Sequence, residues 1–250
     1  MDTQPPPLRC AVVGRGRMGR ALSAALGLDA PLGRGADTSD ADVVLLAVPD
    51  GEIAAAAAAV APGRLVGHLS GATTLAPLAP HEAFSLHPLM TVSGAGDQQL
   101  LRGRAAGAAG ASFAGATAAI AGSSDRALGL ARSLAERHGM RPVEVADGDR
   151  AAYHAAASIA ANFVVTLEGA AERLAATAGV DRAALVPLVR AAVENWAALG
   201  AERALTGPIA RGDAATVERQ REAVAERCPE ALELFDALAQ ATHNLASVRA

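Results

Sequence analysis

The residues best suited to bind a charged ligand form a glycine motif near the start of the chain. A predicted strand at residues 9–13, apolar from Cys10 onward, leads into Gly14, Gly16 and Gly19, spaced as Gly-x-Gly-x-x-Gly, and a helix-forming segment follows. In this setting the three glycines permit a tight turn, a close approach of the main chain to a pyrophosphate, and packing of the helix on the strand. The positive helix N-terminus would hold the phosphates. The motif predicts a dinucleotide-binding site; the alternative is a glycine-rich turn of another α/β protein.

Further polar residues follow the ends of predicted strands. Asp50 comes after the apolar run 41–48, His68 and Ser70 end the next strand, and His87 ends the one after. Ligands of open parallel sheets bind beyond the carboxyl ends of the strands. A single such histidine is more often a loop residue that satisfies the main chain. Two histidines at adjacent strand ends, beside one crevice, make a functional site equally plausible.

A polar stripe marks the helix that follows the last strand. His154, Ser158 and Asn162 stand four residues apart, so a continuous helix would place them on one face. The stripe is either a hydrogen-bonded seam between helices or a surface that faces a substrate. We favour the second interpretation because this helix directly follows the nucleotide-binding part. Histidine suits proton transfer, since its ordinary pKa of about 6.5 lies near working pH.

A distinctive loop at residues 205–213 has the sequence Leu-Thr-Gly-Pro-Ile-Ala-Arg-Gly-Asp. Thr206 can donate or accept a hydrogen bond, and Arg211 can hold a carboxylate through two parallel hydrogen bonds. We also expect Asp213 to cap the next helix. The loop therefore predicts substrate contacts by Thr206 and Arg211.

The elements that position these residues fall into two groups. Strand and helix patterns alternate up to about residue 145, which predicts a mainly parallel sheet with helices on both faces. Four helical segments follow, at 150–178, 181–199, 214–226 and 229–247. We predict an α/β domain at residues 8–147 and an all-α domain at residues 148–250.

Composition excludes several classes of function. The 250-residue chain is 51% hydrophobic and has a formal charge of −4 without a basic block, so we expect no nucleic-acid partner. No apolar run approaches the ~18 residues of a membrane span. The chain has no lysine, which excludes lysine Schiff bases and a phosphate-binding lysine. Two distant cysteines and a polar, proline-rich start at residues 1–8 predict a cytoplasmic protein.

With these motifs in place, the chain resembles proteins that join a Rossmann-like domain to the helical domain called DUF2520. The resemblance covers about residues 8–248. It rests on the motifs at 14–19, 41–50, 68–71, 86–89, 153–157, Asn162 and 205–213. More distantly, the layout is similar to ketopantoate reductases, pyrroline-5-carboxylate reductases, prephenate dehydrogenases and 3-hydroxyacid dehydrogenases. These relatives imply an all-α C-terminal domain of the 6-phosphogluconate-dehydrogenase-like type, hydride transfer with NAD(P), a homodimer and a site in the interdomain cleft.

The sequence departs from these relatives at two places. Ser158 stands where the hydroxyacid and ketopantoate enzymes have a catalytic lysine, although Asn162 matches their asparagine. The proton donor must therefore differ, and His154, His68 and His87 are the candidates. No acidic residue stands clearly at the position where such enzymes bind the ribose of NAD. Arg34, Arg15 or Arg17 could instead bind a 2′-phosphate. This difference favours NADP over NAD.

The predicted site follows from these arguments. The catalytic candidates are His154, His68, Asn162 and Ser158. The cofactor contacts are Gly14, Arg15, Gly16, Arg17, Met18, Gly19, Arg34, Val48, Pro49, Asp50 and Ser70. The substrate contacts are His87, Thr206 and Arg211, and no metal site is expected.

The leading hypothesis is an NAD(P)-dependent oxidoreductase. It would transfer hydride between nicotinamide and a small carbonyl, hydroxy or imine substrate that carries a carboxylate. The missing lysine keeps a second hypothesis open, a dinucleotide-binding sensor or scaffold without turnover. A third is that the glycine loop binds a flavin or a deazaflavin.

Overall fold

The computed structural model describes residues 8–92 and 113–248, and the chain forms two compact units, Met1–Ala161 and Asn162–Ala250. The described residues of the first unit form a six-stranded sheet whose strands lie in chain order. The strands are β1 (Cys10–Val13), β2 (Val43–Leu46), β3 (Leu65–His68), β4 (Glu82–Leu89), β5 (Thr117–Gly122) and β6 (Arg141–Glu144). Strands β1–β4 are parallel, β5 is antiparallel to β4, and β6 is parallel to β5. The mainly parallel α/β fold is confirmed.

The helices of this unit are α1 (Arg17–Ala25), α2 (Ile53–Ala58), α3 (Asp125–Arg137) and α4 (Arg150–Ser158). The first three pack on the two faces of the sheet. Side chains alternate between the faces along each strand. One core joins the strands to α1 and α3, and a second core joins Leu46 and Val66 to Ile53 of α2. The alternation places His68 on the same face as Val66, with Ser85 and His87 on that face of β4. We call the end of the sheet where β1–β4 finish the carboxyl edge.

The sequence also predicts a short second strand near residues 30–33, and the structure reduces it to one residue. Leu32 forms an isolated parallel bridge with Val13. Its N–H donates to the Val12 carbonyl at 2.7 Å, and its carbonyl accepts from Gly14 N–H at 2.9 Å. The segment between α1 and Leu32 is too short to build a longer strand. The bridge nevertheless brings Arg34 to the carboxyl edge next to the glycine loop.

The second unit is helical, as predicted. Its helices are α5 (Val164–Ala176), α6 (Arg182–Leu199), α7 (Ala201–Ala204), α8 (Ala214–Arg227) and α9 (Leu232–Ser247). Arg221 of α8 donates two hydrogen bonds to Asp236 of α9, at 2.8 and 3.0 Å. Asp213 accepts from Thr216 N–H at 3.1 Å, so the predicted cap of α8 is confirmed. Within the described residues, no helix has the length and apolar character needed to cross a membrane.

The long helix predicted over residues 150–178 is interrupted. A π turn at Ile159–Phe163 separates α4 from α5. A π turn holds more residues than an α-helical turn. The spacing of four residues therefore places His154 and Ser158 on one face of α4. Asn162 lies in the π turn, at a different angular position. Helix α4 is part of the first compact unit, and the domain boundary predicted at 147–148 stays a prediction.

Candidate functional site

The glycine motif forms an open cradle at the N-terminus of α1. Gly14 has φ +124°, and a Cβ there would lie 2.2 Å from the Ala47 carbonyl oxygen. A Cβ at Gly19 would lie 1.8 Å from the Gly14 carbonyl oxygen, so both positions require glycine. At Gly16 no heavy atom lies within 4 Å of the Cβ position. No side chain caps α1 and its first turn has no acidic residue. An anion therefore has free space against an uncapped, positive helix end, which fits a pyrophosphate.

A second part of the carboxyl edge lies beside this cradle. Arg34 follows the Leu32 bridge, 20 residues after Gly14, where dinucleotide-binding folds contact the ribose next to adenine. The Arg15 guanidinium lies 3.3 Å from the position of a Cβ on Gly33. Arg34 also lines a mainly apolar cavity with Val13, Val48 and the α2 alanines. Two guanidinium groups thus stand near a cavity that suits an adenosine moiety.

The predicted cofactor contacts at the ends of β2 and β3 are joined to each other. Ser70 Oγ donates to Asp50 Oδ2 at 2.7 Å and lies 3.0 Å from Thr73 Oγ1. The same oxygen accepts from Ala72 N–H at 3.2 Å and Thr73 N–H at 2.9 Å. These bonds fold residues 70–73 into a tight turn and fix the Asp50 carboxylate above it.

His68 is completely buried and bound to the main chain through both ring nitrogens. Its Nδ1 accepts from Ser70 N–H at 3.2 Å, so the neutral ring carries its proton on Nε2, which donates to the Thr74 carbonyl at 3.1 Å. Burial lowers the pKa of His68, partly offset by the hydrogen bond to Thr74, and the charge of Arg150 lowers it further. Its predicted catalytic role stays a prediction, and this geometry favours a role in shaping the 68–74 turn.

Arg150, the first residue of α4, carries the buried charge of this site. Only 1% of its side chain is exposed. Its Nε donates to Asp147 Oδ1 at 3.0 Å, one Nη donates to the Ser70 carbonyl at 3.5 Å, and the other donates to Ser85 Oγ. Asp147 Oδ2 in turn accepts from Leu75 N–H at 3.2 Å. The guanidinium therefore ties α4 to the ends of β3 and β4.

A histidine–tyrosine pair lies next to this guanidinium. His87 Nδ1 and Tyr153 Oη are 2.8 Å apart, and the rings meet edge to face with centroids 5.6 Å apart. The His154 ring centroid is 6.3 Å from that of His87. A Cβ on Gly71 would lie about 3 Å from both imidazoles, 2.9 Å from His87 Cε1 and 3.0 Å from His154 Cδ2. The two imidazoles and the phenol thus form one group above the turn at residues 70–73.

The electrostatics of the pair keep both members neutral. Burial lowers the pKa of His87 to about 4, helped by the charges of His154 and Arg150. Burial raises the pKa of Tyr153 above its usual value, although the Arg150 guanidinium opposes this shift. At neutral pH the imidazole is therefore uncharged and the phenol retains its proton. The pair can hold a proton at Tyr153 Oη without carrying a net charge.

The remaining predicted residues are spread over both units. Arg17 begins α1 and is exposed, whereas Met18 packs on the core beside β1. Pro49 accepts from Glu52 N–H at 2.8 Å in the turn that precedes α2. Ser158 ends α4, Asn162 lies in the π turn, and Thr206 and Arg211 lie in the 205–213 loop of the second unit. The roles predicted for these residues stay predictions.

Sequence reasoning missed Arg150, Ser85 and the role of Tyr153. Their partners are 65–80 residues away in the chain, so no local spacing shows the contacts. One signal was present: Tyr153 is the single tyrosine of the chain, next to His154 at the start of a helix that follows the sheet.

Comparisons with known proteins agree with this architecture. The fold is similar to that of a candidate NADP oxidoreductase of Bacteroides fragilis (17% identity, 95% of this chain and 98% of that one, TM-score 0.77). It is also similar to that of a Thermotoga maritima protein (22% identity, 96% of this chain and 98% of that one, TM-score 0.74). A third similar structure is the Aspergillus terreus reductive aminase solved with NADPH and ethyl levulinate (14% identity, 96% of this chain and 97% of that one, TM-score 0.68). A search of curated proteins finds no match.

The sheet, the glycine cradle and the helical second unit define a Rossmann-like protein with an all-α C-terminal part. A family model described as a domain of unknown function, DUF2520, matches residues 116–242. The chain belongs to the DUF2520 family, which confirms the resemblance noted from its motifs. The match begins at β5 and ends within α9.

Proposed function

We propose that this protein is an NADP(H)-dependent oxidoreductase that acts on a small carbonyl, hydroxy or imine compound bearing a carboxylate. The observation that carries the proposal is the open cradle at Gly16. Arg15 and Arg34 lie near it and are our proposed contacts of the 2′-phosphate. The NADPH complex of the Aspergillus terreus reductive aminase, which has a similar fold, supports this choice of cofactor. NAD(H) is the alternative cofactor.

The chain supplies distinct contacts for each part of the cofactor. The N–H groups at the start of α1 would bind the pyrophosphate, and Arg34 and Arg15 the 2′-phosphate. The Asp50–Ser70 pair would face the nicotinamide end. When bound, NADPH supplies the hydride that a carbonyl or imine carbon accepts. Arg211 and Thr206 remain the proposed contacts of the substrate carboxylate.

We infer that Tyr153 adds to the predicted proton donor, His154. The phenol keeps its proton at neutral pH, and its oxygen lies 2.8 Å from His87 Nδ1. With the imidazole proton on Nδ1, that nitrogen donates to Tyr153 Oη, which leaves the phenol O–H free to give its proton to the substrate oxygen or nitrogen. The nearby Arg150 guanidinium favours the transient phenolate, and water then returns the proton. In the direction of oxidation the same atoms would move in reverse.

The direct test is a titration of the purified protein with NADPH and NADH, followed by nicotinamide fluorescence. We expect tighter binding of NADPH, and Arg34→Ala should weaken NADPH binding by at least about tenfold because a charge-assisted contact is lost. NADH binding should change little in the same variant. Absence of binding by either nucleotide would refute the proposed function.

A second prediction concerns turnover with cyclic imines and 2-keto acids. Tyr153→Phe should lower kcat about 100-fold, the usual effect of losing a general acid, while the Kd for NADPH stays the same. His154→Asn is the matched variant on the same helix. If that variant loses the rate and Tyr153→Phe keeps it, His154 is the donor and the assignment of Tyr153 is wrong.

A non-catalytic dinucleotide sensor is the second candidate function, because Ser158 replaces the lysine of the resembling enzymes. It predicts nucleotide binding without turnover on any imine or keto acid. A flavin or deazaflavin protein would instead show a visible chromophore after purification.

We also propose a cytoplasmic homodimer formed through the helical unit. Among the described residues of that unit, the buried hydrophobic side chains are Val224 and Cys228, whereas Phe163, Leu188 and Trp196 are more than half exposed. Such apolar surface is typical of an interface. Sedimentation equilibrium should give a dimer at micromolar concentration, and Trp196→Glu should give a monomer. A parent protein that is still monomeric at about 50 µM would contradict the proposal.

A further inference from the structure

Arg34, proposed to meet a 2′-phosphate, already has an anionic partner. Its Nη2 lies 2.5 Å from Glu52 Oε2, with 81% of the Arg34 side chain and 39% of the Glu52 side chain exposed. Glu52 occupies the N-cap position of α2, but its carboxylate makes no capping hydrogen bond. Both side chains line the same cavity beside the glycine loop. The carboxylate is therefore directed to Arg34 rather than to its own helix.

The two nucleotide cofactors would meet this pair differently. A 2′-phosphate carries about 1.5–2 negative charges, so it is attracted by Arg34 and repelled by Glu52. A 2′-hydroxyl group carries no charge and can donate a hydrogen bond to a carboxylate, as it does to acidic residues in NAD-binding folds. Because an exposed ion pair is weak, binding can open it. The repulsion by Glu52 remains after the pair has opened.

We propose that Glu52 competes with the 2′-phosphate for Arg34 and thereby sets the preference between NADP(H) and NAD(H). Arg34 alone would favour NADP(H) strongly, and Glu52 reduces that preference. The inference rests on the proposed function, since it requires the adenosine end of the cofactor to lie beside Arg34.

The test uses the adenosine end alone, as 2′,5′-ADP compared with 5′-ADP, in calorimetric titrations of the full chain. Glu52→Gln removes the charge and keeps the side-chain shape. It should bind 2′,5′-ADP about tenfold more tightly, the effect expected from removing one charge some 4–5 Å from a phosphate in water. Binding of 5′-ADP should stay the same or weaken.

The matched control is Glu82→Gln, which removes one charge from another exposed ion pair, that of Glu82 with Arg126 at 2.9 Å. It should leave both affinities unchanged. Equal shifts for both nucleotides in Glu52→Gln, or no shift, would overturn the role of Glu52. If the parent protein binds NADPH and Glu52→Gln behaves like it, only this inference fails. If the parent protein binds neither NADPH nor NADH, the proposed function fails as well.

Discussion

Gly16→Val is expected to weaken dinucleotide binding severely while the protein stays folded. Gly16 has φ −68° and ψ −179°, an extended conformation open to any residue, and its Cβ position is free of neighbours. The valine side chain would fill the space that a pyrophosphate must enter. Loss of two or more hydrogen bonds to the phosphates should weaken NADPH binding at least about 100-fold. Fluorescence titration and thermal unfolding measure the two properties separately.

Two other glycines serve as controls for this prediction. Gly129→Val adds the same side chain to an exposed, open position of α3 and should leave NADPH binding unchanged. Gly19→Ala should instead lower the unfolding temperature, because its Cβ would lie 1.8 Å from the Gly14 carbonyl oxygen. Normal NADPH binding by Gly16→Val would show that the glycine loop is a structural turn only.

Arg150→Met should clearly lower the free energy of unfolding. The buried guanidinium is bound by Asp147, Ser85 and the Ser70 carbonyl, and methionine leaves the buried Ser85 hydroxyl without that partner. Leaving a buried hydroxyl without a partner costs about 1–3 kcal/mol. Urea unfolding followed by circular dichroism gives the free energy of unfolding directly.

Arg126→Met provides the matched comparison for the buried arginine. Arg126 pairs with Glu82 at a similar distance, but 70% of its side chain is exposed. Exposed pairs contribute about 0–1 kcal/mol. Equal losses in the two variants would show that burial of Arg150 adds nothing. Removal of Arg150 should also raise the pKa of His87, since its positive charge opposes protonation, and NMR titration of the imidazole reports that shift.

The sequence predicts the elements whose causes are local. The apolar run before Gly14, the alternation of strands and helices and the cap at Asp213 depend on neighbouring residues, and the structure contains them. Asp50 and Ser70 were also predicted to lie at the carboxyl edge of the sheet. They contact each other there because the ends of adjacent parallel strands lie side by side.

What the sequence did not predict depends on tertiary packing. The strand near Leu32 shrinks to one bridge because its length is set by the connection to α1. The π turn changes the face of Asn162 without any proline or glycine to announce it. From the sequence alone, Arg150 would be expected to be a solvated charge at the start of a helix. Its contacts at the ends of β3 and β4 bury it instead. The pairing of Tyr153 with His87 has the same origin.

The pairing of β4 with β5 bears on how this family is divided into modules. The family segment 116–242 contains β5, Arg150 and Tyr153, whereas β4, Ser85 and His87 precede it. Expressed alone, that segment would expose the edge of β5 that β4 normally covers and would lack the partners of both side chains. The segment recognised by sequence is therefore smaller than the unit that folds, and a recombinant fragment should begin before β1.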